Sequence, residues 1–279
     1  MNQIDIVTNV SLNDGIRIFY SLPNWVRVFN SKINEITIVV DEKAVEGRIG
    51  KLHKKSYPEF ELNKVLEELV QKYPFVKVQK LDYRRLKEIS SKFFRTATPI
   101  RCQGGTPIFA FLAAIIFAKD GIILKTDCDM LYYDNGWVKK AIDMLNNNYY
   151  DIIEPPKLGR SDIDFSTRAF LIDKKRFLQK MPMKAHTLGF LKIIDRKLKK
   201  RSIYLAWEQM IQKEIEAQRF TSICLKKELG YSMHTVSNND INPSSYDNVV
   251  SKVEKNMIPP EQKNSWDYNR EFWIEPDAN

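Results

Sequence analysis

The sequence predicts an α/β fold: a parallel sheet with helices on both faces. Three observations carry this. Strand-like and helix-like segments alternate through the first half of the chain. The strands at 4–10, 36–40 and 122–126 all run into polar or acidic residues. The 279 residues are 43% apolar and 11% aromatic, enough to bury a real core.

Ile4 to Val10 reads as the first strand and leads into polar Ser11-Leu12-Asn13-Asp14-Gly15. Residues 15–31 read as a helix interrupted by Pro23. Glu35 to Val40 is a β-branched strand closed by Asp41-Glu42. Glu61 to Tyr73 is an amphipathic helix, with Leu62, Val65, Leu66, Leu69 and Val70 on one face. Phe75 to Leu81 is a short strand, and Leu86 to Phe94 reads as a helix. After Gly104-Gly105-Thr106-Pro107 an apolar helix runs through Lys119, and Ile122 to Thr126 is a buried strand.

The second half is less regular. Tyr149–Glu154, Ser166–Ile172 and Ser222–Leu225 read as strands, and Ile203–Phe220 as a helix. Gly230 to His234 follows the last strand. The tail from Asn238 is rich in Asn, Pro and Ser, but its Trp266, Tyr268, Phe272 and Trp273 imply that it docks on the body. No repeat, low-complexity tract or clear linker divides the chain. The expected organisation is one domain, 1–279, with halves at 1–130 and 131–237 and a packed tail at 238–279.

The three cysteines, Cys102, Cys128 and Cys224, have no metal or disulfide spacing, and a reducing compartment follows. The first residues lack a signal-peptide pattern. The longest apolar run, Ile108 to Ala118, is eleven residues. A membrane span needs about 20, so this run reads as a buried helix. The expected location is cytoplasmic.

The net charge of +9 is concentrated. Lys174 to Arg201 holds eleven basic residues against one acid, Asp195. Such a stretch suits an anionic membrane surface or a phosphorylated acceptor, and a solvated helix face explains it equally well. Only Phe177 and Phe190 lie within it as aromatic residues, which argues against a nucleic-acid groove.

The most informative stretch is Ile122-Ile123-Leu124-Lys125-Thr126-Asp127-Cys128-Asp129. In an extended chain residues i and i+2 point the same way, so both carboxylates would aim at one point. They repel unless a positive charge sits between them. A hard divalent cation, Mg²⁺ or Mn²⁺, is the natural candidate. An Asp-x-Asp is also a common turn, but this pair ends a core strand, where α/β enzymes keep their ligands.

Downstream lie Trp207-Glu208, early on a helix, and a late His234. This order resembles the GT-A glycosyltransferases, especially inverting members such as family two, over roughly residues 3–236. The resemblance implies a Rossmann-like mixed sheet with flanking helices. Residues 1–130 would be the nucleotide-sugar half and 131–237 the acceptor half. It further implies that Asp129 binds the metal and that Asp127 reaches the ribose or the metal's shell. His234 would complete the metal site. Thr8, Asn9, Asp41 and Arg101 would lie near the nucleotide, although Asp41 also reads as a turn carboxylate, and Arg101 is further from Asp127 than the family pattern has it. Glu208 would be the general base, Trp207 would stack on a sugar, and Arg168 and Asp164 would flank the donor sugar. The donor would be a nucleotide sugar, with uridine the common choice, and the acceptor a glycan or lipid-linked hydroxyl. The stretch 174–201 would then make a peripheral contact at the inner face of a membrane.

Two other readings stay open. A nucleotidyltransferase on a related fold would also use Asp-x-Asp and metal, but Ser11 to Gly15 lacks the glycine-rich, basic loop expected after the first strand. A non-catalytic basic RNA- or membrane-binding protein would not depend on the acids.

Overall fold

The structure is a computed structural model of the chain. It describes residues 3–41, 57–81, 114–156, 168–180, 215–216, 219–226 and 242–257, together with the backbone of 232–234.

A seven-stranded sheet forms the centre. Its strands are β1 (Ile4–Ser11), β2 (Ile33–Asp41), β3 (Val76–Lys80), β4 (Ile122–Thr126), β6 (Ile152–Glu154), β7 (Ala169–Asp173) and β8 (Ser222–Cys224), in the order β3-β2-β1-β4-β7-β6-β8. Two further strands, β5 (Met130–Tyr132) and β9 (Ser232–His234), pair as a separate antiparallel ribbon. β1, β2, β3 and β4 are mutually parallel, as the β-α-β order requires. β7 then runs antiparallel to both β4 and β6, so the whole sheet is mixed.

The chain moves outward from β1 through β2 to β3, then returns to place β4 on the other side of β1. The strand order therefore reverses between β1 and β4. In an open α/β sheet this opens a crevice at the carboxyl ends of the two strands, where ligands bind. Leu12 to Asp14 follow β1 at that edge, and Asp127 to Asp129 follow β4.

Helix α1 (Gly15–Phe29) buries Ile18, Leu22, Trp25 and Phe29 completely. It runs unbroken through Pro23, where the sequence suggested an interruption. A mid-helix proline costs about 3 kcal/mol. Burial of Leu22 and Trp25 on either side offsets that cost, at roughly 1.5–3 kcal/mol for each large apolar side chain. Helix α2 (Leu62–Lys72) buries Leu62, Val65, Leu66 and Leu69 on its expected face. The Glu61 carboxylate caps it by accepting from the Asn63 and Lys64 N–H groups, at 3.2 and 3.4 Å.

Two helices, at 136–146 and 243–254, were not evident in the sequence. α3 (Gly136–Asn146) buries Trp137, Val138, Ala141, Ile142 and Leu145. A short α4 (Lys174–Lys180) follows β7. The polar tail expected from Asn238 contains α5 (Pro243–Glu254), which is the second helix the composition concealed. Asn242 caps it by accepting from the Ser245 N–H at 2.8 Å, and Pro243 occupies its first turn. Tyr246, Val249 and Val253, spaced three and four apart, are fully buried with Ile16, Leu131 and Tyr133. The tail does dock, through this helix; its later aromatics lie outside the described residues.

Candidate active site

β4 ends at Thr126, and the backbone then turns instead of continuing extended. The Met130 N–H donates to the Asp127 carbonyl at 3.2 Å and closes the turn. The Asp127 N–H donates to the Arg168 carbonyl at 2.6 Å, which ties the turn to the start of β7. The expectation that Asp127 and Asp129 share one face of an extended strand is therefore corrected. The turn sends the two carboxylates to different neighbours.

Asp127 forms an ion pair with Lys125, two residues upstream in β4. The Lys125 side chain is only 2% exposed, while that of Asp127 is 36% exposed. A buried ammonium needs such a partner. Asp129 is buried, with Oδ2 4.0 Å from Nε of Arg17 on α1. Arg17 also pairs with Asp14, whose Oδ2 accepts from both the N–H and the hydroxyl of Ser11 at 2.8 Å. Burial disfavours the Arg17 charge, but Asp14 first and Asp129 second outweigh it and hold the guanidinium well above its ordinary value. Burial pushes the Cys128 thiol up, and Asp14 and Asp129 add to that, so it stays protonated and unreactive.

The turn is held by one face of α1. Arg17, Ser21, Asn24 and Trp25 recur at helical spacing. The Ser21 hydroxyl donates to the Cys128 carbonyl at 2.6 Å, and the Trp25 indole N–H to the Met130 carbonyl at 2.7 Å. The Asn24 amide takes both backbone groups of Tyr132: its nitrogen donates to the carbonyl at 3.0 Å, and its oxygen accepts from the N–H at 2.8 Å. The Tyr132 hydroxyl donates back to Thr126 at 2.8 Å. Backbone 128–132 is thus fixed by side chains from a neighbouring element.

Asp41 ends β2 opposite Ser11 and is buried. Thr8 and Asn9 alternate across β1. Thr8 shares a face with core residues Ile6 and Val10 and is fully buried, with no hydrogen-bond partner for its hydroxyl among the described residues. Asn9 points to the other face and is partly exposed. His234 pairs in register with Met130, so its backbone lies beside the residue that follows Asp129. Its side chain lies outside the described residues. So do Arg101, Asp164, Trp207 and Glu208, and with them Gly104-Gly105 and the helices expected at 86–94 and through most of 203–220.

The described part of the basic stretch makes internal contacts. Lys174 donates to the carbonyls of Ile116 and Ala118 at 3.1 and 2.6 Å. Arg176 donates to the carbonyls of Leu145 and Tyr150 at 3.0 and 2.8 Å, and Lys180 pairs with Asp151 at 2.7 Å. Lys174 and Arg176 thus cap helix and loop carbonyls and Lys180 neutralises a buried acid, which are structural uses of charge. Among the described residues no helix is long and apolar enough to cross a membrane.

Ser11, Asp14, Arg17, Ser21, Asn24, Trp25 and Lys125 were not singled out in the sequence. One signal was available: four hydrogen-bonding side chains at 17, 21, 24 and 25 on the face of α1 that also buries Ile18 and Leu22.

The oxygen donors of Asp127 and Asp129 fit a hard divalent cation. With Asp14 they make three carboxylates against the two cations Arg17 and Lys125, so these five groups retain one negative charge. Among the described residues no three His, Cys, Asp or Glu side chains form a metal-binding group.

Comparison with known proteins adds the fold. No protein-family model matches the chain, and no curated protein matches it. Solved structures do. A galactosyltransferase, LgtC, in complex with donor and acceptor sugar analogues is 11% identical, with a TM-score of 0.51 over 92% of this chain and 98% of its own. The chain has the GT-A fold. A mannosyltransferase from Pyrobaculum calidifontis, in complex with GDP-Man and Mn²⁺, is 11% identical with a TM-score of 0.50, over 89% of this chain and 60% of its own. The inositol-1-phosphate CTP transferase from T. maritima is 10% identical with a TM-score of 0.50, over 93% and 99%. At such identity the likeness is one of fold.

Proposed function

We propose that the protein is a glycosyltransferase that moves a sugar from a nucleoside-diphosphate donor to a hydroxyl acceptor, with a divalent metal and inversion at the anomeric carbon. One observation carries this reading: in a GT-A fold, the Asp127–Asp129 turn sits at the carboxyl end of β4, beside β1, where the strand order reverses.

Asp127, Asp129 and His234 would hold the metal. Mn²⁺ or Mg²⁺ there would stabilise the negative charge that grows on the diphosphate leaving group. Lys125 and Arg17 hold the two carboxylates in place, and the α1 face holds the turn. Asp41, Asn9, Thr8 and Arg101 are the proposed nucleotide contacts, with a uridine nucleotide favoured. Glu208 would take the proton from the acceptor hydroxyl as its oxygen attacks the anomeric carbon and the bond to the diphosphate breaks. Trp207 would stack on a sugar, and Arg168 and Asp164 would flank the donor sugar. The acceptor would be a glycan or lipid-linked hydroxyl in glycan or polysaccharide synthesis, with the basic residues between 181 and 201 available for a membrane surface.

A nucleotidyltransferase is the second reading, favoured by the likeness to the CTP transferase. Against it, the turn after β1 has no glycine-rich loop. It is closed by Ser11 and Asp14, whose carboxylate accepts from the Ser11 N–H and hydroxyl.

The test is a screen of nucleotide sugars and nucleoside triphosphates with Mn²⁺, reading nucleoside diphosphate and pyrophosphate release. A nucleotide-sugar substrate that yields nucleoside diphosphate supports the proposal; pyrophosphate release from a triphosphate supports the second reading instead. Asp129→Asn should lose metal-dependent donor binding. Glu208→Gln should keep donor binding and lose about 10²–10⁴ in turnover, the range for a positioned general base. A product with retained anomeric configuration would remove that role from Glu208.

A further inference from the structure

We propose that Arg17 sets the divalent-cation affinity of the Asp127–Asp129 turn, keeping it low until an anionic diphosphate is present. The proposal rests on the donor-site reading above. Arg17 springs from α1 and reaches both walls of the crevice: Asp14 in the turn after β1 and Asp129 in the turn after β4. It is a positioning residue, because it acts on the carboxylates and not on substrate.

The physical case is electrostatic. The guanidinium lies 4.0 Å from Asp129 Oδ2, and both side chains are largely buried. Salt screens such a pair poorly. A fixed positive charge there attracts the carboxylate and repels an incoming dication twice as strongly as a monovalent ion. Asp14, Asp127 and Asp129 against Arg17 and Lys125 leave a single negative charge among the five groups. A dication alone would turn that cluster positive. A dication arriving with a diphosphate would not. Loss of Arg17 would remove the positive charge beside Asp14 and Asp129 and raise the metal's affinity in the absence of nucleotide. A purely structural role predicts the opposite sign, since a disordered turn binds metal less well.

The experiment measures Mn²⁺ binding to the full chain by electron paramagnetic resonance of free Mn²⁺, first without nucleotide. Arg17→Met should bind Mn²⁺ on the order of tenfold tighter than wild type, as expected for removing a unit charge about 4 Å from a ligand. Arg17→Lys should stay near wild type. Asp14→Asn should bind more weakly, because one compensating anion is gone. A folded Arg17→Met with unchanged or weaker Mn²⁺ binding overturns the proposal. If that variant does not fold, Asp14→Asn decides: unchanged or tighter binding overturns it. Added UDP should then tighten Mn²⁺ binding to wild type, and by a smaller factor in Arg17→Met. If neither UDP nor any other nucleoside diphosphate changes Mn²⁺ binding in any variant, the donor-site reading fails, while the nucleotide-free ranking still decides the role of Arg17.

Discussion

Asp151 shows how single buried charges are used outside the crevice. Its carboxylate, just before β6, accepts from the Thr221 N–H and hydroxyl at 2.9 and 3.0 Å and from Lys180 at 2.7 Å. Burial alone would raise its pKa, but Lys180 and then Thr221 reverse that and hold it below the ordinary carboxylate value. The folded state therefore binds its proton less readily than the unfolded state. The resulting stability is fully present above the unfolded value of about 4 and is lost as pH falls through the lower folded value. Asp151→Asn should cost about 2 kcal/mol at pH 7, the scale for hydrogen bonds to a charged acceptor. Urea denaturation at pH 7 and pH 3 checks this: the gap should shrink at pH 3, and a gap that persists would mean that the charge is not its source. Lys180, Arg176 and Lys174 were legible in the sequence only as a basic stretch. Their partners Asp151, Tyr150 and Ala118 lie 29, 26 and 56 residues upstream, beyond any local pattern.

At the scale of elements, α1 is the part on which the site depends. Gly15 opens it because nothing larger fits: a Cβ there would lie 1.9 Å from the Phe60 carbonyl oxygen. Gly15→Ala should cost about 3 kcal/mol or more, the upper range for overpacking. A chemical denaturation midpoint equal to wild type would show that the 57–60 segment yields freely. Asn24→Leu should cost about 3 kcal/mol, since both buried backbone groups of Tyr132 lose their partner. It should also weaken nucleotide binding, because the Asp127–Asp129 turn lies three residues before Tyr132 on the same short segment. Full donor affinity in the folded variant would argue that the turn holds its shape without α1. The polar face of α1 was hidden in the sequence because Ser, Asn and Arg on a helix ordinarily mark the solvent side. Here Arg17 meets the carboxylates of Asp14 and Asp129, while Ser21 and Asn24 meet backbone groups of the turn and of β5.

Across the whole molecule, the C-terminal helix is coupled to the site. Tyr246 on α5 stacks on Tyr20 of α1, with centroids 5.2 Å apart, and is buried with Leu131 and Tyr133, which follow the turn. The Tyr133 hydroxyl donates to the Met257 carbonyl at 3.0 Å. Tyr246→Ala should cost about 3–5 kcal/mol, as for large aromatic truncations. Far-ultraviolet circular dichroism should show a single transition at a lower midpoint. Two separated transitions would mean that α5 folds as an independent appendage.

The sequence by itself determined the α/β class, the parallel first half and the position of Asp127-Cys128-Asp129 at the end of a core strand. These are local properties: hydrophobic period, strand length and the residues that close each strand. It also carried the buried face of α2, where Leu62, Val65, Leu66 and Leu69 repeat, although Val70, read onto the same face, is exposed. Tertiary structure alone decided the reversal of strand order between β1 and β4, the antiparallel entry of β7 and the docking of α5. It also decided what the acid pair meets. Read locally, Asp127 and Asp129 need a positive charge from outside the chain. In the folded protein Lys125 faces one and Arg17 approaches the other, the latter from 112 residues upstream. Charge balance is set by everything within a few ångströms, and chain order does not report that distance.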